Sequence, residues 1–133
     1  MTSLSNRTFL VTGAGSGIGR AAARMLAERG AEVILIGRRL PFLQETLPKA
    51  QAVALDHADD RAVEAFARLC PPLDGMFLNA GHLLTGSVEG TALDTFERML
   101  ALNLRGPWLM AHHLGPKLKT GAAVVLTGSN IGL

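Results

Sequence analysis

Thr12-Gly13-Ala14-Gly15-Ser16-Gly17-Ile18-Gly19-Arg20 is the stretch that decides the fold. It follows the apolar, strand-like run Thr8-Phe9-Leu10-Val11 and leads into the helix-like Ala21-Ala22-Ala23-Arg24-Met25-Leu26. A glycine-rich turn between a strand and a helix lets backbone N–H groups and the positive end of the helix dipole face an anion, where a side chain would block the approach. The spacing is not G-x-G-x-x-G, because Ile18 stands where a glycine or alanine would follow Gly13 and Gly15. Gly17-x-Gly19-x-x-Ala22 fits the letters but begins too far into the helix. The pattern present is Thr-Gly-x-x-x-Gly-x-Gly, a longer turn. No Gly-Lys-Ser/Thr follows, which excludes a P-loop. The plain alternative is a flexible loop, and glycines at alternate positions directly between a strand and a helix argue against it.

Working outward, short apolar runs alternate with amphipathic ones. Phe9–Val11, Glu32–Ile36, Gln51–Leu55, Gly75–Leu78 and Ala122–Thr127 read as strands, apolar throughout as suits strands covered on both faces. After the first, Ile18, Ala21, Ala22, Met25 and Leu26 share a helical face, and Gly30 closes the helix. A short helix is expected between Pro41 and Pro48. A third starts with Asp59 as N-cap, turns Ala62, Val63, Phe66, Ala67 and Cys70 inward, and stops at Pro71-Pro72. A fourth runs from about Thr91 to about Leu114, and Trp108 and the methionines read as core. This alternation with short links predicts a doubly wound α/β fold, a parallel sheet with helices on both faces.

Composition narrows the function classes. The chain has 133 residues, 48% apolar and 18% charged, enough for one domain with a real core. A net charge of +2 gives no case for nucleic acid or a membrane surface. The single cysteine, Cys70, excludes an internal disulfide framework and fits a reducing cytoplasm. No apolar run reaches transmembrane length, and the N-terminus lacks a signal-peptide pattern. His57, His82, His112 and His113 show no metal spacing, so no metal site is expected. Asp56 ends the third strand, where a receiver domain holds its phospho-acceptor, but no acidic pair follows the first strand to hold Mg²⁺.

The glycine turn resembles the signature of the short-chain dehydrogenase/reductase family, and further motifs follow in the family's order. Leu55-Asp56 looks like its adenine-contacting Asp. Leu73-Asp74-Gly75-Met76-Phe77-Leu78-Asn79-Ala80-Gly81 is similar to its strand followed by Asn-Ala-Gly. Phe96-Glu97-Arg98 through Asn103-Leu104-Arg105-Gly106 matches its fourth helix with an internal Asn. Gly121 through Val125, then Leu126-Thr127-Gly128-Ser129, looks like the strand ending at the catalytic Ser. The resemblance spans about Thr8 to Leu133. It implies a Rossmann-like dinucleotide-binding domain over residues 1–133, with five strands in the order 3-2-1-4-5.

Carried over residue by residue, the resemblance places Thr12, Gly13, Gly15, Ser16, Gly17, Ile18, Gly19, Arg38, Asp56, Asn79, Ala80 and Gly81 against the cofactor, and Asn103 and Ser129 in the catalytic set. The general rule for open sheets puts the same strand ends at the ligand crevice. Asn79 reads equally as a turn residue bonding its own backbone; the resemblance implies that it bridges neighbouring strands. In Gly37-Arg38-Arg39, glycine stands where an NAD-type domain carries an acid, and an Arg suits a 2′-phosphate, which favours NADP over NAD. Ordinary surface arginines are the alternative. Asn103 falls at helical spacing with Phe96, Met99, Leu100 and Pro107 on an apolar face, where a buried amide needs partners. Pro107 cannot donate to the Asn103 carbonyl and should kink the helix. The resemblance implies that the kink holds a water in a proton relay; a mere helix break is the other reading. Ser129, otherwise a loop serine, would hold a substrate carbonyl beside a catalytic Tyr whose pKa a Lys lowers.

That Tyr-x-x-x-Lys is expected beyond Leu133, and the 133 residues contain no tyrosine. The expectation is a truncated domain, catalytically incompetent alone, with its fifth strand open at an edge that recruits a second copy or a complementing chain, or doing so through the fourth helix. Three functions stay open: a reductase half, a nucleotide-binding module without chemistry, and a structural or interaction domain.

Overall fold

The computed structural model describes residues 2–130; Met1 and residues 131–133, the ends of the expected domain, lie outside the described residues. The apolar runs pair into a parallel sheet: β1 (Thr8–Thr12), β2 (Glu32–Gly37), β3 (Gln51–Ala54), β4 (Leu73–Leu78) and β5 (Leu118–Leu126). The order is β3-β2-β1-β4-β5, as expected. Side chains alternate across the sheet. Leu10, Ile34, Ile36 and Met76 face one core with Val63, Phe66, Leu109, Met110 and Leu114. Val11, Val33 and Leu35 face the other with Ala14, Ala23 and Leu43.

The helices are α1 (Gly17–Glu28), α2 (Leu40–Thr46), α3 (Asp60–Leu69), α4 (Leu93–Leu100) and α5 (Gly106–Leu114). Asp59 caps α3, its carboxylate accepting from the Ala62 N–H at 3.2 Å. Val63, Phe66, Ala67 and Cys70 turn inward as their spacing predicts, and burial pushes the Cys70 thiol pKa up. The expected fourth helix is two helices joined by a π-turn over Ala101–Arg105. There the Gly106 N–H donates to the Ala101 carbonyl, five residues back instead of four.

Several expectations need correction. Ile18 and Met25 are 66% and 54% exposed, whereas Gly19 and Ala23 are the buried residues of α1. That face overlooks an apolar groove floored by Gly75, Met76 and Phe77 and edged by Ala123 and Val125, which no described element covers. Trp108 is exposed and stacks on His112, with ring centroids 4.7 Å apart, so it is not core; of the methionines, Met76 and Met110 are. β5 starts at Leu118 rather than Ala122. Its pairing slips between Leu73↔Leu118 and Gly75↔Ala123, and Gly121, at φ +80°, accommodates the irregularity. β5 is an edge strand with Val124, Val125 and Leu126 exposed, as expected.

At the N-terminal ends of the strands, away from the glycine turn, the Asp74 carboxylate binds Arg7 at 2.9 Å, Lys119 at 2.8 Å and the Thr8 N–H at 2.9 Å. The Lys119 ammonium, the Thr8 amide and the Arg7 guanidinium hold its pKa far below the ordinary carboxylate value. Asp74 therefore ties β1, β4 and β5 together.

Candidate functional site: a crevice at the strand ends

Parallel strands end together, so the loops after β1, β2, β3 and β4 converge on one edge of the sheet. They enclose a cavity of about 250 Å³. Of the residues singled out in the sequence, Thr12, Gly13, Gly15, Ser16, Arg38, Asp56, Ala80 and Gly81 line it. Gly17, Ile18, Gly19, Asn79, Asn103 and Ser129 are not part of that lining.

The glycine turn is held by close packing. Gly13 has φ +64°, and a Cβ there would sit 3.0 Å from the Ala80 Cα. A Cβ on Gly19 would overlap the Gly13 carbonyl and sit 2.9 Å from the Asn79 Nδ2. Ser16 precedes α1 in extended conformation and makes no side-chain cap, which leaves the first amides of the helix without a side-chain acceptor. Behind the turn, Arg20 donates to the Gly15 carbonyl at 2.6 Å and to Thr46 Oγ1 at 3.2 Å. Thr46 in turn donates to the Ala14 carbonyl at 2.8 Å. Arg20 is thus a brace for the turn, a role its spacing did not reveal because Thr46 is distant in sequence.

Asn79 bridges strands, as the resemblance implies. Its Oδ1 accepts from Thr127 Oγ1, just past β5, at 2.8 Å, and its Nδ2 lies against Gly13 and Gly19. Asp56 accepts from the Ala58 N–H at 3.0 Å through one oxygen, a local Asx-turn, while lining the cavity. Arg38 is exposed at the rim. Arg39, Phe42 and His57 also line the cavity. The Arg39 guanidinium lies 3.9 Å from the centroid of the Phe42 ring, a cation–π contact. The sequence shows no metal spacing around His57; its position directly after Asp56 at a strand end was the signal available for a place in the crevice. It is 5% exposed, and burial lowers its pKa.

Asn103 is not on a buried apolar face. It is exposed, and so are Phe96 and Leu100. Its amide instead pairs with the backbone of His82, accepting from the N–H at 2.8 Å and donating to the carbonyl at 2.7 Å. The distortion expected from Pro107 is present as the π-turn. Ser129 is exposed beyond the end of β5, on the same edge of the sheet as the crevice. Among the described residues, no three His, Cys, Asp or Glu side chains cluster as metal ligands. No helix among the described residues is long and apolar enough to cross a membrane.

A parallel sheet in the order 3-2-1-4-5 with a glycine turn at its crevice defines a Rossmann-like α/β fold. The chain belongs to the short chain dehydrogenase family, whose model matches residues 7–133. It is 34% identical to the uncharacterized oxidoreductase YxbG of Bacillus subtilis over 99% of this chain and 53% of that protein. It is 33% identical to meso-2,3-butanediol dehydrogenase of Serratia marcescens over 96% of this chain and 55% of that one. A short chain dehydrogenase of Burkholderia cenocepacia, solved in complex with NADP, superposes with TM-score 0.90 at 29% identity, covering 98% of this chain and 58% of that one. The chain spans about half the length of these relatives.

Proposed function

We propose that this chain is the dinucleotide-binding part of a short-chain reductase and that it holds NADP(H) in the crevice at the strand ends. The observation that carries this reading is the packing of the glycine turn. Gly13 and Gly19 leave no room for side chains between β1, α1 and Asn79, and the uncapped start of α1 faces the space where a pyrophosphate would lie. Thr12, Gly13, Gly15, Ser16, Gly17, Ile18 and Gly19 would surround that pyrophosphate. Asp56 would take the adenine amine, while Asn79, Ala80 and Gly81 would wall the nicotinamide side. Arg38 would take the 2′-phosphate with charge-assisted hydrogen bonds. The Burkholderia relative's NADP supports the choice of cofactor.

When bound, the cofactor supplies or accepts the hydride. Asn103 shapes the helix at the kink of the proton relay, and Ser129 holds the substrate oxygen. With no tyrosine among the 133 residues, the chain by itself has no proton donor of the family's kind and does not turn over. The open edge of β5, or the exposed face of α4, would then take a second copy or a complementing chain in the cytoplasm. Titration with NADPH and NADH tests the reading. Tighter NADPH binding is expected. Tighter NADH binding would overturn the cofactor assignment, and no binding of either would favour the alternative, a structural or interaction module.

A further inference from the structure

The π-turn between α4 and α5 leaves a hydrogen-bonding problem that can be followed carbonyl by carbonyl. Gly106 N–H goes to Ala101, one residue earlier than an α-helix would send it. In α-register the Leu102 carbonyl would receive that same Gly106 N–H, which is now committed elsewhere. In π-register it would receive the N–H of residue 107, which is Pro107 and has none. The helix therefore offers Leu102 no backbone donor, and Leu102 is 8% exposed, so water is a poor substitute.

The polar backbone of Leu102 faces the His57 ring closely enough to raise the imidazole's pKa, against the larger lowering by burial. Of the two ring nitrogens, Nδ1 is fully buried and has no partner, which leaves Nε2 as the candidate donor to Leu102. The contacts agree. A Cβ on Gly106 would sit 2.5 Å from His57 Cδ2 and 2.6 Å from Nε2, so this edge of the ring lies flat against the start of α5. Glycine at 106 is what lets the imidazole reach the helix backbone. Burial disfavours the charged form of the ring; a neutral imidazole with its proton on Nε2 is a donor there and a bare acceptor at Nδ1.

The turn so held carries Asn103, whose amide pairs with both backbone groups of His82 directly after Gly81. We infer that His57 is a positioning residue: its ring gives the Leu102 carbonyl the hydrogen bond that the π-turn and Pro107 withhold, and so fixes the turn that holds Asn103 against the backbone of His82. His57 and Leu102 also line the crevice, so the wall of the candidate base pocket and the helix kink share one contact. The inference goes beyond the proposed function and stands whether or not a nucleotide binds.

The test is NMR on the isotope-labelled 133-residue chain, comparing His57→Leu, which keeps bulk but has no donor, with His57→Gln, whose amide can reach the place of Nε2. In His57→Leu, exchange of the Gly106 amide should quicken by about tenfold, and the Asn103 side-chain amide signals should move while those of β1, β2 and β3 stay. His57→Gln should restore both. A folded His57→Leu with unchanged Gly106 protection and Asn103 signals would overturn the inference, and so would a His57→Gln that behaves like His57→Leu. The wild-type ring decides independently, even if His57→Leu fails to fold. A proton on Nε2 supports the assignment, and one on Nδ1 overturns it.

Discussion

The hydroxyl oxygen of Thr12, at the end of β1, accepts hydrogen bonds from the N–H groups of Asn79 at 2.9 Å and of Ala80 at 3.0 Å. β1 and β4 part company at this point, and the two amides would otherwise face a gap in the ladder. Thr12 is 1% exposed, so water does not replace it readily. Thr12→Val keeps the shape and removes the acceptor. It should cost about 2 kcal/mol in urea unfolding, while Thr12→Ser should cost clearly less. Equal losses would show that the methyl group, not the oxygen, matters.

Gly19→Ala would drive a methyl group into the Gly13 carbonyl and toward the Asn79 amide. Backbone cannot yield as a flexible side chain does. A loss of about 2–4 kcal/mol is expected, together with loss of nucleotide binding. Gly17→Ala is the control. No atom lies within 4 Å of its Cβ position, and its φ of +51° leaves only a conformational cost of about 1 kcal/mol.

Arg38→Ala should weaken NADPH by about 10- to 100-fold while changing NADH by less than about threefold, since the two differ only at the 2′-phosphate. Isothermal titration of both nucleotides checks this. An equal loss for both would mean that Arg38 serves the pocket generally and does not read the phosphate.

Asp74 gives the stability a definite acid limb. Its folded pKa lies far below the value near 4 of a free carboxyl, so as pH falls below about 4 the unfolded chain takes up the proton first. Stability is thus fully supported at neutral pH and declines with acid. Asp74→Asn should lower the melting temperature at pH 7 and flatten its fall between about pH 4 and pH 2. An unchanged acid limb would assign that limb to other carboxylates.

Val125→Lys places a charge on the exposed apolar edge strand. If β5 mediates association, light scattering should show a smaller mass than wild type at equal concentration. A wild-type chain that is already monomeric would count against the edge as an interface.

Much of this architecture was legible in the sequence because it depends on local patterns. Parallel strands buried on both faces are apolar runs, so β1, β2 and β4 announced themselves. Asp59 and Pro71 bracketed α3 by capping chemistry and by a missing N–H. The errors have a common cause. Helical periodicity says which residues are apolar, not whether anything covers them; Ile18, Met25 and Phe96 carry the right pattern and lie on faces that no described element packs against. Leu118 through Gly121 were missed because β5 is irregular there and polar residues on an edge strand resemble a loop. In the candidate site, the glycines and strand ends could be placed by motif, but Arg20 and His57 act through contacts across long sequence separations.

The order of elements, the parallel sheet and the family are properties of the sequence itself, since apolar period, turn residues and motif spacing are written along the chain. Tertiary structure alone decided what the individual side chains do. It turned Thr12 into a bridge between strands, made Arg20 a brace for the glycine turn, and set Asn103 against the backbone of His82 instead of in a core. The reason is that hydrogen-bond partners and covering surfaces come from residues tens of positions away, and local patterning carries no record of them.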